Sequence, residues 1–577
     1  MRKLKVKNII LFILIIIALI VLGFCAFKFI LKRPKKEVKI NEFPMYISSE
    51  DLDVTLYDLE YNEVSSLVRG TEVIVYDIEI VNETADETNT NKYKKIRYNN
   101  ADYLVLEESL VSDKENIIKE EILYVRTPLV LYSSSEESII NGYIKKGEEL
   151  NIIGYDYLNA DGTVNMYKVN YNENIGYVYK KYTVKTKEEA LLNYDENGIY
   201  TIHSGRPNTY GGGSAGSADY YPYEKPTFEN NVMPKEVRSL YLNRAVIQNV
   251  DAYIEFAKAN NINAFVVDIK DNESPAYASK VMEKYSPTNY QYASHSIDTY
   301  KAAITKLKEN GFYVIGRITT FKDYYYALDH PEHSIISTST GNLYAHNGSY
   351  WPSPYQRKVW EFNVELAKEA VTLMGFNEIQ FDYVRFPDRT YTIEANGLIN
   401  MRNDYGEEKI QAIQGFVFYA CDEIHKLNAY VSIDVFGESA HPYVTGYGQY
   451  FPAISNIADV ISAMPYPDHF NMYEYGFNEP VWTIPYELLK YWGINYVMKR
   501  QSEISNPAIV RTWIQAYDTI RSPYIVYDST KISEQIKGLY DAGLTGGYMT
   551  WNSGSNLLKY RSIASAFKKE YLNEQES

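Results

Sequence analysis

Residues 378–388 read Glu378-Ile379-Gln380-Phe381-Asp382-Tyr383-Val384-Arg385-Phe386-Pro387-Asp388, an apolar strand pattern that runs into two carboxylates and an arginine. Uninterrupted apolar and β-branched residues are typical of a strand that is buried on both faces. Pro387 has no N–H to extend a ladder of hydrogen bonds, so Asp382, Arg385 and Asp388 are expected near the carboxyl end of this strand.

A second strand pattern, at residues 430–438, ends in the same way with Asp434 and Glu438. In a barrel of parallel strands, catalytic side chains collect at the carboxyl ends of the strands. Two carboxylates on neighbouring strand ends are the minimum that cleavage of a glycosidic bond requires.

The region from about 236 to 570 alternates strand patterns with amphipathic helix patterns. Strands are predicted to start near Ser239, Ala264, Tyr313, Glu378, Tyr430, Asp459, Thr512 and Gly547. Apolar residues spaced three and four apart, as in Ile410, Ile413 and Val417, predict the helices between them. Eight such units predict a (β/α)8 TIM barrel. An open doubly wound sheet is the alternative, although no glycine-rich turn follows the first strand.

Composition limits the partners and cofactors of the chain. A length of 577 residues predicts several domains, and a net charge of −16 argues against a nucleic-acid partner. The two cysteines, Cys25 and Cys421, cannot form a disulfide framework. The histidines show no paired ligand spacing, so neither a metal site nor a cofactor is predicted. Most of these histidines are expected at the surface.

The N-terminus is predicted to anchor the chain in a membrane. Residues 9–31 are almost wholly apolar, which is enough to span a hydrocarbon core of about 30 Å. Basic residues flank the run on both sides, so their distribution alone does not set the orientation. Without a small-residue cleavage site, residues 1–36 are predicted to be a cytoplasmic tail and retained single-pass anchor in the cell membrane, with the body outside the cell.

Two related β-rich segments are predicted after the anchor, at residues 40–112 and 120–185. Matching Gly-x-Glu steps and Tyr-Lys pairs recur at an offset of about 75 residues, which indicates an internal repeat. The second copy resembles bacterial SH3 domains, and the first is a degenerate version. Residues 203–235 are rich in Gly, Ser, Pro and Tyr and are predicted to form a flexible linker, which would leave both modules separable from the barrel.

The predicted strand ends carry the candidate site residues. Acidic groups recur there together with arginines and aromatic rings, a combination that suits a carbohydrate. The candidates for substrate binding are Asp268, Asp271, Arg317, Asp323, Trp351, Tyr355, Arg385, Asp434, Tyr466, Gln515, Trp551 and Asn552. A single aspartate in such a place is more often a helix cap or an ion-pair partner.

Several segments of the barrel region resemble one bacterial family of glycoside hydrolase-like domains that was first catalogued without a function. They are Val266-Val267-Asp268-Ile269-Lys270-Asp271, Tyr313-Val314-Ile315-Gly316-Arg317-Ile318, Phe321-Lys322-Asp323, Trp351-Pro352-Ser353-Pro354-Tyr355, residues 378–387 and Arg511-Thr512-Trp513-Ile514-Gln515. The resemblance implies a TIM barrel distantly similar to the α-amylase clan. That clan has an Asp nucleophile after strand 4 and a Glu acid/base near the end of strand 5, which Asp382 and Glu438 would match. Ala516-Tyr517-Asp518 departs from the family pattern, in which Asp more often follows the Gln directly, so the strand-7 carboxylate stays open.

The function predicted from these features is a retaining glycoside hydrolase that acts on a cell-envelope or extracellular polysaccharide, including peptidoglycan-type substrates. Asp382 would be the nucleophile and Glu438 the general acid/base, kept protonated beside Phe436, while Asp518 or Asp268 would steady the sugar hydroxyls. An alternative places Asp434 in the site instead of Glu438. The alternative function is an inactive barrel that binds glycans and organises the wall.

Overall fold

The computed structural model describes residues 2–31, 41–83, 90–208 and 210–572. The chain forms two compact units, Met1–Glu120 with Tyr157–Val164, and Glu121–Asp156 with Asn165–Ser577. Residues 32–36 of the predicted anchor, and residues 40 and 84–89 of the first predicted module, lie outside the described residues.

The first unit begins with the helix Arg2–Leu31. Its segment Val6–Phe24 is long and apolar enough to cross a membrane, a test that a signal sequence near the N-terminus would also pass. The predicted apolar helix is confirmed, because aliphatic residues on every side leave no polar face for water.

Each predicted module is an antiparallel sheet of seven strands. The strands of the first are Glu42–Ile47, Asp53–Tyr57, Glu63–Val68, Glu72–Glu83, Thr90–Tyr98, Ala101–Leu106 and Leu110–Val111. Those of the second are Ile122–Val125, Leu129–Tyr132, Ile140–Ile144, Glu149–Tyr155, Met166–Tyr171, Asn174–Tyr179 and Thr183–Val184. Both sheets have the spatial order 3-2-6-5-4-1-7, so the repeat seen in the sequence is a repeat of topology. The SH3-like prediction is confirmed at this level.

The rest of the chain is a TIM barrel with its eight strands in sequential order. The strands are β1 (Val237–Leu242), β2 (Ala264–Asp271), β3 (Tyr313–Thr319), β4 (Glu378–Asp382), β5 (Tyr430–Phe436), β6 (Val460–Met464), β7 (Ile509–Val510 and Thr512–Gln515) and β8 (Gly547–Trp551). The lower part of β7 pairs with β6 and its upper part pairs with β8, which closes the ring.

The helices that follow these strands cover the barrel. They are α1 (Val250–Ala259), α2 (Ile297–Glu309), α3 (Arg357–Met374), α4 (Lys409–His425), α5 (Phe451–Ser455), α6 (Pro485–Trp492), α7 (Ser529–Asp541) and α8 (Leu557–Ser562). A π-helical segment, Gly493–Met498, continues α6 into Lys499–Gln501. Shorter helices are Lys187–Leu191, Ile199–Ser204, Lys280–Tyr285, Pro287–Gln291, Tyr324–Asp329, Tyr391–Ala395 and Ala564–Phe567, and shorter strands are Ser274–Pro275, Ile336–Ser337 and Ile399–Asn400.

The predicted strand starts agree with the structure because every barrel strand is an almost continuously buried apolar run. Gly375 ends α3 in the left-handed conformation at φ 73°, as expected of a glycine at the end of a helix. The barrel interior is polar near the amino ends of the strands: Arg511 Nη1 donates to both oxygens of Glu378, at 2.7 and 2.9 Å, and neither side chain is exposed.

The second module packs firmly against α3 and α4 of the barrel. Three helix carboxylates accept hydrogen bonds from it, and all three are buried. Ser138 Oγ donates to Glu423 at 2.6 Å, the backbone N–H of Ile140 donates to Glu361 at 2.7 Å, and Tyr182 Oη donates to Asp422 at 2.9 Å. The expectation of a separable unit is therefore wrong for this module.

The predicted flexible linker at residues 203–235 is also wrong, because this segment is packed against the barrel. Ala215, Ala218 and Tyr220 share a core with Ile410 of α4. A Cβ on Gly212 would lie 1.9 Å from the carbonyl oxygen of Thr445. Glycine therefore permits a close backbone approach at this point, and it does not make a loose tether.

Candidate active site

Arg317, on β3, lies at the centre of the charged cluster at the carboxyl ends of the strands. Its guanidinium is buried and donates to Asp382 on β4 at 2.7 Å from Nη2 and 3.2 Å from Nε. Its Nη1 donates to Asp268 on β2 at 2.8 Å, and Asp271 lies 3.7 Å away. One cation thus links three of the predicted carboxylates, as the parallel pairing of β2, β3 and β4 allows.

Asp382 is fixed from two sides at the point where β4 ends. The arginine holds its Oδ2, and the backbone N–H of Tyr383 donates to its Oδ1 at 2.6 Å. Tyr383 has φ 52°, a left-handed conformation that bulky residues rarely adopt. Such backbone strain clusters at functional sites. The strained turn aims the backbone N–H at the carboxylate.

Asp268 is fully buried and is hydrogen-bonded to the Tyr241 hydroxyl as well as to Arg317. Burial raises the pKa of Asp268 to about 6, since the arginine offsets only part of the cost of removing the carboxylate from water and Asp271 adds repulsion. Asp268 therefore changes its charge close to physiological pH.

Asp434 lies inside the barrel on β5 and accepts a hydrogen bond from Trp513 Nε1 at 2.9 Å. Burial raises the pKa of Asp434 well above its ordinary value, the negative charge of Asp382 raises it further, and Arg317 opposes both. The two carboxyl groups thus differ in character, one ion-paired and one favoured in its neutral form.

Arg385, in the turn after β4, lies among aromatic rings. Its guanidinium carbon lies 4.4 to 5.7 Å from the centroids of four aromatic rings, namely Phe436, Trp351, Tyr383 and Tyr447. Nη1 also pairs with Asp388 at 3.3 Å. This buried cation, surrounded by rings, is the predicted arginine of the β4 motif.

Glu438 follows β5 on a short turn and is exposed. Its two carboxylate oxygens accept hydrogen bonds from the hydroxyls of Tyr447 at 2.8 Å and Tyr443 at 3.1 Å. The prediction that Glu438 occupies a less polar position beside Phe436 is therefore wrong. Two tyrosine donors hold the Glu438 side chain at the solvent side of the cluster.

Aromatic side chains line the cluster, among them Trp551, Trp351 and Tyr466. The ring of Trp551 lies 5.4 Å from the Arg317 guanidinium carbon. Trp351 packs edge-on to Tyr383 at 5.9 Å. Tyr466 shares a buried core with Tyr241 and Trp513, and Trp551 packs against that core.

Five predicted site residues are engaged elsewhere in the fold. Asp323 caps the helix Tyr324–Asp329 and pairs with buried Lys270 at 2.6 Å, so it holds structure together. Asp518 is half-exposed and pairs with Lys559 at 2.6 Å. The others are Tyr355, which packs on Phe386, and Gln515 and Asn552, whose amides hydrogen-bond the backbone of the loop after β7.

Four residues of the cluster were absent from the sequence-based candidates: Tyr241, Tyr383, Tyr447 and Trp513. Three of them lie on or directly after a barrel strand, and each contributes a hydrogen-bond donor to a carboxylate. A buried tyrosine or tryptophan needs a partner for its polar atom, which is the physical reason to expect such pairs.

Among the described residues, His330, Glu332 and His333 form the one group whose ligand atoms lie within 4.8 Å of one another. Their side chains lie in the loop after β3 and are partly exposed. The ring nitrogens of His330 lie within hydrogen-bonding distance of Glu332 and of the Tyr285 carbonyl. Nδ1 of His333 lies within hydrogen-bonding distance of the Tyr326 hydroxyl. No paired ligand spacing was recognised for these histidines in the sequence, yet the short helical turn Pro331–His333 brings them together.

Comparison with known proteins identifies the barrel. Residues 239–557 match the model of a family described as "Putative glycosyl hydrolase domain". The chain belongs to this family. The family assignment makes the barrel a glycoside hydrolase domain, in agreement with the resemblance read from its motifs. No curated protein matches the chain.

Three solved structures illustrate the likeness. A hypothetical protein from Ruminiclostridium thermocellum is 29% identical over 34% of this chain and 97% of its own, with a TM-score of 0.29. The PgaB (BpsB) glycoside hydrolase domain from Bordetella bronchiseptica is 14% identical over 58% of this chain and 98% of its own, with a TM-score of 0.42. The Flavobacterium johnsoniae chitobiase is 10% identical over 57% of this chain and 51% of its own, with a TM-score of 0.33.

Proposed function

We propose that the protein is a membrane-anchored enzyme with its body outside the cell, and that it hydrolyses a cell-envelope or extracellular polysaccharide with retention of configuration. The observation that carries this proposal is the arginine-held carboxylate at the end of β4, where Arg317 and the N–H of Tyr383 fix both oxygens of Asp382. A carboxylate that is paired with a cation, oriented and partly screened from water is suited to attack an anomeric carbon.

In the proposed mechanism, an Asp382 oxygen forms a bond to the anomeric carbon while the bond from that carbon to the leaving oxygen breaks. Glu438 gives its proton to the leaving oxygen. A water then gives a proton to Glu438 and its oxygen to the anomeric carbon, which releases Asp382. Arg317 compensates the charge of Asp382 at the start and at the end of the cycle.

Access favours Glu438 over Asp434 as the acid and base of this mechanism. Asp434 is buried below the rim and is hydrogen-bonded to Trp513, whereas Glu438 reaches solvent. A general acid must lie within hydrogen-bond reach of the leaving oxygen. In this mechanism the leaving oxygen lies above the carboxyl ends of the strands, on the solvent side. Asp434, whose pKa is raised by burial, would instead limit repulsion beside Asp382 and keep its orientation.

The test uses residues 41–577, without the helix, on peptidoglycan sacculi and isolated envelope polysaccharides, with new reducing ends as the readout. We expect Asp382→Asn to lose nearly all turnover and Glu438→Gln to lose about 10²–10⁴-fold. The exposed residue Glu309, near the end of α2, supplies the control Glu309→Gln. NMR of the first product should show the anomeric configuration of the substrate.

The outcomes separate the alternatives. Full activity in Glu438→Gln together with loss in Asp434→Asn would transfer the acid role to Asp434. Binding of a glycan without any turnover in the unchanged protein would favour the inactive wall-organising barrel. Inversion at the anomeric carbon would refute the covalent step.

The proposed location has its own test. Protease added to intact cells should remove the barrel while leaving the segment around Val6–Phe24 in the membrane fraction, since that helix is long enough to span it. Protection of the barrel from protease, or a mature chain that begins after residue 24, would contradict the anchored and extracellular arrangement.

A further inference from the structure

Two groups of aromatic side chains lie outside the catalytic cluster, one on each side of the end of β4. The Tyr292 arm consists of Tyr292, Tyr324, Tyr325 and Tyr350, from the segments that follow β2 and β3. The Tyr491 arm consists of His441, Tyr475, Tyr491 and Tyr496, from the segment after β5, the segment after β6 and helix α6 with its π-helical continuation.

The Tyr292 arm is built from stacked pairs of rings. Tyr292 and Tyr325 are nearly parallel, at 11° with centroids 4.8 Å apart, and Tyr324 and Tyr350 lie 4.8 Å apart at 15°. Tyr292 is 53% exposed. Tyr350 precedes Trp351 in the chain, and Trp351 contacts Tyr383 beside the catalytic aspartate. The arm is thus continuous with the site.

The Tyr491 arm is continuous with the site through Glu438. The Tyr443 hydroxyl donates to Glu438 at 3.1 Å, and the Tyr443 ring lies 5.6 Å from that of His441. His441 in turn lies 4.3 Å from Tyr496. Trp492, next to Tyr491 in the chain, donates from Nε1 to the Gly437 carbonyl at 3.1 Å and ties this helix to the loop after β5.

Two departures from regular backbone geometry build the Tyr491 arm. Tyr475 has φ 58°, a left-handed conformation that is unfavourable for a bulky residue. Tyr496 lies in the π-helical segment, a geometry that is rare and often found at functional sites. The two rings meet at 4.9 Å and 29°. Core filling alone does not explain such unfavourable geometry in partly exposed rings.

We propose that the two arms are sugar-binding subsites on opposite sides of the cleavage point, so that the enzyme binds a polysaccharide chain along its length and cuts it internally. The apolar C–H faces of a pyranose pack on the electron-rich face of an aromatic ring. A monosaccharide or disaccharide at Asp382 would contact neither arm fully, whereas a chain that crosses β4 would contact both. The inference rests on the proposed function for its cleavage step.

Binding is tested with the full-length Asp382→Asn variant, solubilised in detergent. This variant is chosen so that the measurement does not depend on turnover. The probes are peptidoglycan sacculi, chitin and amylose, each compared with a soluble trisaccharide of the same sugars. We expect at least one polymer to be bound at least tenfold more tightly than its trisaccharide. Tyr292→Ala with Tyr325→Ala, and separately Tyr491→Ala with Tyr496→Ala, should each weaken polymer binding about tenfold, the scale of losing one aromatic anchor.

Tyr524→Ala is the matched control, because Tyr524 is an exposed tyrosine in the loop after β7 and outside both arms. Unchanged trisaccharide binding by the arm variants would show that they are folded. Retention of no polymer, equal affinity for polymer and trisaccharide, or equal loss in Tyr524→Ala would overturn the inference.

Products made by the unchanged chain separate this inference from the proposed function. Internal cleavage should first yield long fragments with few new reducing ends. The arm variants should either shift the product lengths toward a random distribution or form the products more slowly. If the protein binds a polymer through the arms but never cleaves, the proposed function fails and the binding surface stands. If it releases only sugars from chain ends, the function stands and the inference fails.

Discussion

Replacing Asp268 with Asn should remove a specific pH dependence from the stability of the barrel. The folded-state pKa of Asp268 is about 6, and an unburied aspartate has 3.8. A difference of about 2 corresponds to about 3 kcal/mol of unfolding free energy. Because the folded-state pKa is raised, this contribution is fully present below pH 3.8 and is lost as the pH rises through about 6.

The measurement is denaturant unfolding followed by tryptophan fluorescence between pH 4 and 7.5. All six tryptophans of the chain lie at or beyond Trp351, so their fluorescence reports on the barrel alone. Carboxylates outside the Arg317 cluster titrate equally in both proteins and cancel. The difference in unfolding free energy between Asp268→Asn and the unchanged chain should change by about 2.5 kcal/mol over this range, with the variant relatively more stable at high pH.

The exposed residue Thr305 supplies the control Thr305→Ser, which changes no titratable group, so its difference should not depend on pH. A flat difference for Asp268→Asn would show that Arg317 compensates the buried charge completely. A difference of opposite sign would mean that the ion pair outweighs burial, and the assignment of Asp268 as a group that titrates near pH 6 would be refuted.

Three further substitutions have outcomes that follow from buried contacts. Arg511→Met should destabilise the barrel by about 3–5 kcal/mol in denaturant unfolding, because Glu378 would remain buried without its cation. Trp513→Phe should cost about 1–3 kcal/mol, because Asp434, whose other oxygen has no hydrogen-bond partner, would lose its donor. Glu423→Ala should make the second module more sensitive to limited proteolysis while the barrel core resists.

Controls make these results specific. Lys280→Met breaks an exposed ion pair and should leave the denaturant midpoint of unfolding unchanged. Adding Glu378→Gln to Arg511→Met should recover part of the loss, since the unpaired charge disappears. A loss in Trp513→Phe below about 0.5 kcal/mol would show that water replaces the indole N–H.

The strand-end rule located the centre of the site but did not distinguish its members. Asp382 and Asp323 look alike in the sequence, each just beyond a buried apolar run. In the structure, Asp323 caps a helix, which depends on where that helix begins. Asp518 pairs with Lys559, which is 41 residues away in the sequence, and no local sequence pattern predicts that pairing.

The fold was more predictable than the site because the order of its strands and helices follows from local patterns of apolar residues. Buried strands and amphipathic helices each have a characteristic apolar periodicity. The packed segment around Gly212 was misjudged because glycine suits both a loose chain and a close backbone contact. Trp513 was taken only as part of a motif, since nothing in a strand pattern shows that its indole N–H faces a carboxylate.

The buried carboxylates that join the second module to the barrel restrict how this architecture can evolve. If the module were replaced by one lacking Ser138, Lys181 and Tyr182, buried Asp422 would lose its donors Lys181 and Tyr182, and buried Glu423 would lose the Ser138 hydroxyl. The module and the outer face of α3 and α4 must therefore be inherited together, whereas that constraint does not apply to loops on the opposite side of the barrel.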